Sequence, residues 1–305
     1  MKKVFIITAI ILVLCLCSCS RTGVFRINGN TYSDANRYNI GSFSYRASEV
    51  KKVCIDYISG DLTVAQSRNN TLSVVENEKG LKDDQKIHWY IDGNTLRIRF
   101  CKSGYSGTFP KNSKILTVEI PYGIDLEISV TSGDVKFATD IDVLNASFGA
   151  TSGAFNVKTV RTGSFKFGAT SGSISLEALY ADNAEFGSTS GNTSVGLIQA
   201  DTVKFGSTSG NTSLSKIHAK KLEGGATSGN TTLDFDYCES FKFKCTSGNI
   251  RIVRMPSNGA SIDFDHTSGE IKASSYTVKD KKVVYGSGGC EMDIGTTSGN
   301  LIIDN

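Results

Sequence analysis

Apolar and polar side chains alternate along most of the chain with a period of two residues. In the run Phe165-Lys166-Phe167 two aromatic side chains enclose a charged one, and the run Val203-Lys204-Phe205 repeats this arrangement. A period of two is typical of a strand that buries one face and exposes the other. Beyond the N-terminus no apolar stripe has helical spacing, so the pattern predicts an all-β protein.

A triplet, Thr-Ser-Gly, divides this pattern into units of nearly constant length. Its nine copies begin at Thr131, Thr151, Thr170, Thr189, Thr208, Thr227, Thr246, Thr267 and Thr297. Successive copies are 20, 19, 19, 19, 19, 19, 21 and 30 residues apart, and FGSTSGNTS at 186–194 returns unchanged at 205–213. Self-similarity at a fixed period of this length indicates a solenoid in which each unit forms one rung.

The repeat therefore predicts a parallel β-solenoid with rungs of about 19 residues. At about 3.3 Å per residue such a unit can complete one circuit of two or three short strands, and equivalent residues then lie about 4.8 Å apart in columns. The column three residues before the triplet is expected in the interior. It contains Phe148, Phe167, Phe186, Phe205, Gly224, Phe243, Phe264 and Ile294.

The triplet itself is predicted to be a corner, because glycine adopts positive φ without penalty and the hydroxyls can bond nearby backbone groups. Apolar pairs such as Ile174 with Leu176, and Leu179 with Ala181, predict a second and a third strand after it. Four consecutive rungs carry asparagine after the glycine, namely Asn192, Asn211, Asn230 and Asn249. We expect a hydrogen-bonded asparagine ladder, and a row of ligand-binding amides is the alternative.

Residues 47–130 are predicted to be a β-rich part that leads into the solenoid at 131–305 without a break. Asp92-Gly93-Asn94 lies between two alternating runs and predicts a hairpin turn. The 30-residue step near the end is interpreted as one rung with an inserted excursion. The last rung, 300–305, lacks a polar cap, so it is predicted to have an open edge through which the protein could self-associate.

The N-terminus has the features of an export signal. Lys2 and Lys3 precede fourteen uncharged residues, Val4 to Cys17, which are too few to span a membrane. Leu16-Cys17-Ser18-Cys19 resembles the lipobox of bacterial lipoproteins. Residues 1–18 are therefore predicted to be a lipoprotein signal peptide, Cys19 the lipid attachment site and 19–46 a polar tether; a plain secretory signal is the alternative.

Composition and candidate chemistry point away from catalysis. The formal net charge is +3, which gives no reason to expect nucleic-acid binding. His88, His218 and His266 share no ligand or triad spacing, and we expect no catalytic, metal or cofactor site. Five further cysteines show no metal-site spacing and are expected to be buried small hydrophobic residues: Cys54, Cys101, Cys238, Cys245 and Cys290.

Four features together resemble the bacterial DUF4097 family of putative adhesins, a β-repeat family. They are RYNIGSFSY, VCIDYISGDLTV, the proline-ended strand LTVEIPYG and the series of Thr-Ser-Gly rungs, between Tyr38 and Asn305. The resemblance implies a protein of the cell envelope or surface. We therefore expect a lipid-anchored, non-enzymatic interaction or structural module that meets a wall polymer, a surface polysaccharide or a protein.

Two other functions remain open from the sequence. One is an envelope-stress sensor or regulator that acts through a protein partner. The other is a polysaccharide lyase or hydrolase, since many parallel β-helices have that activity. Such enzymes need clustered Asp, Lys and Arg on one face, and the sequence shows no such cluster.

Overall fold

The computed structural model describes residues 24–46, 49–110, 114–273, 276, 278–279 and 281–304. One sheet joins strands from residue 39 to residue 303, and a separate two-stranded sheet lies beside it. Successive rungs pair in parallel. The predicted fold class, an all-β parallel solenoid with a β-rich lead-in, is confirmed.

The strands follow the repeat closely. The lead-in contains β1 (Val24–Asn28), β2 (Asn39–Ile40), β3 (Phe43–Arg46), β4 (Lys52–Tyr57), β5 (Asp61–Gln66), β6 (Thr71–Glu76), β7 (His88–Asp92), β8 (Thr95–Arg99), β9 (Ser106–Pro110) and β10 (Ile115–Ile120). The central rungs contain β11 (Asp125–Val130), β12 (Asp134–Phe137), β13 (Ile141–Asp142), β14 (Asn145–Ala150), β15 (Ala154–Ala169), β16 (Ser173–Ser188), β17 (Thr193–Val195), β18 (Ile198–Ser207), β19 (Thr212–Ala226) and β20 (Thr231–Cys245). The C-terminal part contains β21 (Ile250–Arg254), β22 (Ala260–His266), β23 (Ile271–Lys272), β24 (Val278–Lys279), β25 (Lys282–Tyr285), β26 (Cys290–Thr296) and β27 (Leu301–Ile303).

Each central rung consists of three strand segments. In the rung around Thr170, a first segment at 164–169 leads into the Thr-Ser-Gly turn, and second and third segments follow at 173–176 and 178–181. The pairing between β15 and β16 keeps an offset of 19 residues along all three segments. Identical sequence positions therefore lie directly above one another, as the repeat predicts.

The phenylalanine column is interior, which confirms the prediction. Phe167, Phe186 and Phe205 are in register on neighbouring strands and are at most 6 % exposed. Burying each ring stabilises the fold by about 1.5–3 kcal/mol. At Gly224 the column lacks a side chain, so the Phe205 ring occupies the space that a Cβ would take and stacks on Phe243 with the ring centroids 5.8 Å apart.

The glycines of the triplet are required because the backbones of neighbouring rungs pack closely at the corner. The reason predicted from the sequence, positive φ, is wrong. All of them except Gly269 have ordinary negative-region φ values. A Cβ on Gly191 would overlap the carbonyl oxygen of Gly172 in the rung below, and each of the other triplet glycines meets the glycine of an adjacent rung in the same way. The corners therefore stack backbone against backbone. The backbone N–H of Ser190 donates to the Thr170 carbonyl at 2.7 Å.

The asparagine ladder is confirmed in a specific form. The side-chain oxygen of Asn192 accepts the backbone N–H of Asn211 at 3.0 Å, and Asn230 and Asn249 continue the series at 3.1 Å. Each side chain thus replaces a backbone acceptor at a corner where the strands are interrupted. The ladder joins rungs to one another.

At the N-terminal end, later strands close the solenoid. The rung formed by β4 and β5 lies between β11 with β12 on one side and β8 with β10 on the other. Antiparallel strands β6 and β3 then cover β10, and β7 and β2 cover β8. Asp92-Gly93-Asn94 makes the predicted hairpin turn between β7 and β8, with Gly93 at φ 59°.

Part of the predicted tether is folded, which corrects that boundary. Within 24–46, β1 pairs with β9, β2 with β7 and β3 with β6. Aromatic side chains provide the reason: Phe43 stacks on Trp89 at a centroid distance of 3.9 Å, and Tyr38 packs against Tyr90. The tether prediction is wrong for 24–46, while residues 19–23 lie outside the described ranges.

A buried ion pair fixes the lead-in. Lys114 Nζ lies 2.8 Å from Glu76 Oε1, and both side chains are fully buried. The ammonium also donates to the carbonyl oxygens of Gln85 and Phe100, and Glu76 accepts the N–H of Ile87 at 2.8 Å. Burial raises the pKa of Glu76 and lowers that of Lys114, so each charge depends on its partner.

At the C-terminal end the last two rungs are stacked in the reverse of their sequence order. Strand β26 lies between β20 and β22, and β27 lies between β21 and β23. Because Leu301 pairs with both Ile250 and Ile271, the prediction of an open edge on the last rung is wrong. Self-association through that rung therefore loses its structural basis.

The predicted excursion explains this reversal. After β22 and β23 the chain forms β24 and β25, which pair antiparallel with each other, and β25 covers the outer edge of β22. The chain then returns beneath β22 as β26. Lysines on this covering hairpin, Lys281 and Lys282, pair with Asp265 and Asp263; charged groups of this kind discourage edge-to-edge aggregation.

Candidate functional site: a polar groove on the third segments

A groove crosses the third segments of five neighbouring rungs. It encloses about 640 Å³ and is lined by Thr162, Tyr180, Ala181, Asp182, Gln199, Ala200, Asp201, His218, Lys220, Tyr237 and Glu239. Ala181 and Ala200 are in register and form the floor of the groove, because their side chains are single methyl groups. Longer side chains on the two flanking columns form the walls.

One wall is a column of planar polar side chains, which we call the polar ladder: Arg161, Tyr180, Gln199, His218 and Tyr237. The five are in register on successive strands. The Arg161 guanidinium lies 4.8 Å from the centre of the Tyr180 ring, and His218 stacks on Tyr237 with centroids 5.0 Å apart. Four of the five side chains, Tyr180, Gln199, His218 and Tyr237, line the groove.

The other wall is mainly acidic. It carries Asp182, Asp201, Lys220 and Glu239, all exposed. Lys220 bonds Asp201 at 2.8 Å, which raises the pKa of Lys220. The Tyr237 hydroxyl donates to Glu239 at 3.1 Å, and this bond raises the pKa of Tyr237. The lysine therefore stays charged and the phenol stays protonated, so both remain hydrogen-bond donors at neutral pH.

The histidines considered from the sequence do not converge. His88 is buried in the lead-in with Nδ1 3.0 Å from the Lys86 carbonyl. His218 is in the groove beside Asp236 at 3.1 Å, and His266 stacks on Phe264. Their roles are therefore separate, as their spacing predicts.

Three aspartates on β20 and β22 contact cations of the protein itself. Asp234 holds Arg254 through two hydrogen bonds of 2.8 and 3.1 Å. Asp263 and Asp265 pair with Lys282 and Lys281. Within the described ranges no three His, Cys, Asp or Glu side chains are placed to hold a metal ion.

Cys19, the predicted lipid attachment site, lies outside the described residues. The part of the chain that the structure covers contains no helix with the length and apolar character required to cross a membrane. All five remaining cysteines are buried, as predicted.

Sequence reasoning missed the groove, although a signal for it exists. The ladder residues Tyr180, Gln199, His218 and Tyr237 stand ten positions after the threonine of four successive triplets. The acidic wall stands twelve positions after it. These offsets fall in the variable part of the repeat, where the letters differ from rung to rung, so they do not attract attention as a motif.

Comparison with known proteins supports the fold. The family described as Toastrack DUF4097 matches residues 50–304. A putative adhesin of Parabacteroides merdae ATCC 43184 is similar, with a TM-score of 0.58 at 11% identity over 88% of this chain and 97% of the other. A putative adhesin of Parabacteroides distasonis ATCC 8503 gives a TM-score of 0.57 at 14% identity over 87% and 97%.

A third similar structure carries a different name. It is a putative lipid binding protein from Parabacteroides distasonis ATCC 8503, with a TM-score of 0.54 at 16% identity over 92% of this chain and 99% of the other. No curated protein matches the sequence. At these identities the likeness concerns the fold alone.

Proposed function

Since the chain belongs to the Toastrack DUF4097 family, we propose that it is an exported, lipid-anchored, non-catalytic module that binds an extended glycan in the polar groove. The names of two similar structures, both putative adhesins, support a role at the surface. The groove supplies the chemistry for that role.

The observation that carries this proposal is the repetition of hydrogen-bonding groups along the groove. From Tyr180 to Tyr237 the ladder advances by three strand spacings, about 14 Å in all. Phenol, amide and imidazole edges line one side and carboxylates the other. A polymer with repeated hydroxyl groups can satisfy these donors and acceptors at several successive rungs.

The charge of the groove narrows the ligand class. The groove carries three carboxylates, Asp182, Asp201 and Glu239, against the ammonium of Lys220 and the guanidinium of Arg161 at the end of the polar ladder. A polyanion would be repelled by this excess of negative charge. A neutral or amino-bearing glycan is therefore favoured over a phosphate-rich polymer.

Peptide binding by strand addition does not fit this surface. The third segments are already paired with a neighbouring strand on each side, for example 198–200 with 179–181 and 217–219. Strand addition needs an edge with free N–H and C=O groups. Recognition in the groove must therefore use side chains.

Glycan binding is tested with the double variant Gln199→Ala/His218→Ala and a panel of soluble polysaccharides without phosphate. Removing two hydrogen-bonding groups, each worth about 0.5–1.5 kcal/mol, is expected to weaken binding about tenfold. Ser194→Ala/Ser213→Ala, on the exposed face of the second segments, is the matched control and should bind like the wild type. Equal affinity of both double variants, or no binding to any glycan, contradicts the proposal.

Anchoring is proposed at Cys19. Because β1 begins at Val24, five residues further on, the folded part would begin within about 18 Å of the bilayer surface. Mass spectrometry of the protein extracted from membranes should find a lipidated Cys19 at the N-terminus, and Cys19→Ala should be released into the soluble fraction. An unmodified N-terminus on membrane-extracted protein contradicts anchoring.

A further inference from the structure

One buried cysteine, Cys238, ends a column of alanines, and a second, Cys290, lies on the neighbouring strand. Ala181, Ala200 and Ala219 are followed in register by Cys238. In the next rung Cys290 begins β26, which pairs with β20 from Ser240 and Glu291 onward. Both cysteine side chains have zero exposure.

Cys238 and Cys290 lie close together on neighbouring strands. Strand β20 pairs with β26 at Ser240 and Glu291, two residues after Cys238 and one residue after Cys290, so the two cysteines are one position out of register. A strand spacing of about 4.8 Å and a rise of about 3.3 Å per residue place their Cα atoms about 6 Å apart, within the Cα separation of about 4.4–6.8 Å that a disulfide spans. Cys238 Sγ also donates to the Ser240 carbonyl at 3.4 Å. The other two thiols with a hydrogen bond lie on other strands: Cys54 Sγ is 3.8 Å from Glu127, and Cys245 Sγ is 3.2 Å from the Gly248 carbonyl.

We propose that Cys238 and Cys290 are oxidised to a disulfide in the exported protein. The inference rests on the proposed export and not on the groove. Two thiols lose two protons and two electrons as the S–S bond forms. A protein disulfide of the thiol-oxidoreductase class in the cell envelope accepts the electrons and becomes a dithiol.

The bond would hold the reversed rung in place. Cys290 is the first residue of β26, the strand that enters between β20 and β22. A link to Cys238 on β20 closes the intervening chain, including the covering hairpin, into one loop. Closing a long loop restricts the unfolded chain and therefore stabilises the fold.

The surroundings of the Cys290 thiol also determine when the disulfide can form. Its hydrogen bond with Cys238 and burial raise the pKa of the Cys290 thiol far above its usual value. The thiolate is the reactive form, so the folded, reduced pair should react slowly. Oxidation is therefore expected during folding, before β26 is enclosed.

Peptide mapping under non-reducing conditions tests the proposal on the full mature chain, refolded in oxidised and reduced glutathione. A linked peptide pair containing Cys238 and Cys290 is expected in the wild type and in Cys245→Ala. It should be absent from Cys238→Ala, which restores the residue found in the preceding rungs. Reductant should lower the melting temperature of the wild type and leave that of Cys238→Ala unchanged.

Free alkylation of both thiols in refolded wild type would overturn the proposal, as would a linkage that includes Cys245. The same mapping on protein isolated from cell fractions completes the test. A linked pair in the membrane or surface fraction supports it. Protein found there with both thiols reduced overturns it, whatever the result of the glycan measurements.

Discussion

At the residue scale, the space available in each column decides which side chains are tolerated. Gly191 and Gly187 lie four residues apart in one rung, yet their surroundings differ. A Cβ at 191 meets the Gly172 carbonyl oxygen in hard contact, whereas at 187 the nearest atom, the Phe167 carbonyl oxygen, is 3.9 Å away. The two glycines therefore form a natural pair for comparison.

Gly191→Ala is expected to lower the free energy of unfolding by about 1–3 kcal/mol, as overpacking does. Gly187→Ala should be neutral or stabilise by up to about 1 kcal/mol, because alanine restricts the unfolded chain without a clash. Thermal and urea unfolding of the two variants measure the difference. Equal effects would show that the corners are not packed backbone against backbone.

His88 gives the lead-in a pH dependence. Burial lowers the pKa of its ring in the folded protein, with Lys114 and Lys102 adding to the shift. The unfolded chain therefore binds the proton at a higher pH, about 6.5, than the folded chain does. Stability is full above that value and falls as the pH is lowered through it, until the folded-state pKa is reached.

The comparison of wild type with His88→Gln from pH 7.5 to 5 tests this effect. The wild type should lose stability more steeply than the variant over that range. Ser194→Ala, at an exposed residue that does not titrate, serves as the control and should follow the wild type. Parallel curves for wild type and His88→Gln would contradict the argument.

At the scale of the strands, the phenylalanine column is one part of the interior that continues from rung to rung. Phe186→Ala should destabilise by about 3–5 kcal/mol, because the ring is buried between Phe167 and Phe205. Solenoid rungs contact only their neighbours, so the loss should be concentrated around that rung. Hydrogen exchange by mass spectrometry should show faster exchange there than in β4 and β5.

The matched change on the exposed side of the same strand is Glu185→Ala. That carboxylate faces solvent and pairs with Lys166 at 3.5 Å, an interaction worth about 0–1 kcal/mol. If the melting curve of Phe186→Ala were as close to that of the wild type as the curve of Glu185→Ala is, the phenylalanine column would not be in the interior.

The strands themselves were predictable, because alternation and a fixed period are local signals. Segments 164–169 and 183–188 carry the same kinds of residue at the same offsets from the triplet, and this similarity predicts their register. The groove could be predicted only in part. Its residues stand at a regular distance after each triplet, but Tyr180, Gln199 and His218 are all polar without being identical. The packing of Phe43 on Trp89 could not be predicted either, because the aromatic residues of 38–46 are not part of the repeat.

At the scale of the whole molecule, the two ends of the solenoid are closed in the same way. The first rung in sequence is β4 with β5, and the last is β26 with β27. Each lies one position inside its end of the solenoid. Beyond the first rung lie β8 and β10, which come later in the chain, and beyond the last lie β22 and β23, which come earlier. Antiparallel strands then cover each end rung. This order depends on contacts between distant segments, so the linear repeat predicted an open C-terminal edge that the fold does not have.

This arrangement leaves the third segments of the central rungs as a continuous surface between two closed ends. The central claim of the account is that this surface binds a glycan lengthwise, several rungs at a time. If so, affinity must depend on ligand length on the scale of the polar ladder, about 14 Å between Tyr180 and Tyr237.

Calorimetric titration with a length series of the best-binding glycan measures this directly. Affinity should increase with each added sugar until the chain spans the ladder and then level off. In Tyr180→Ala/Tyr237→Ala the increase should end at shorter chains. Affinity that is independent of length, or a length dependence that the double variant leaves unchanged, would contradict binding in the groove.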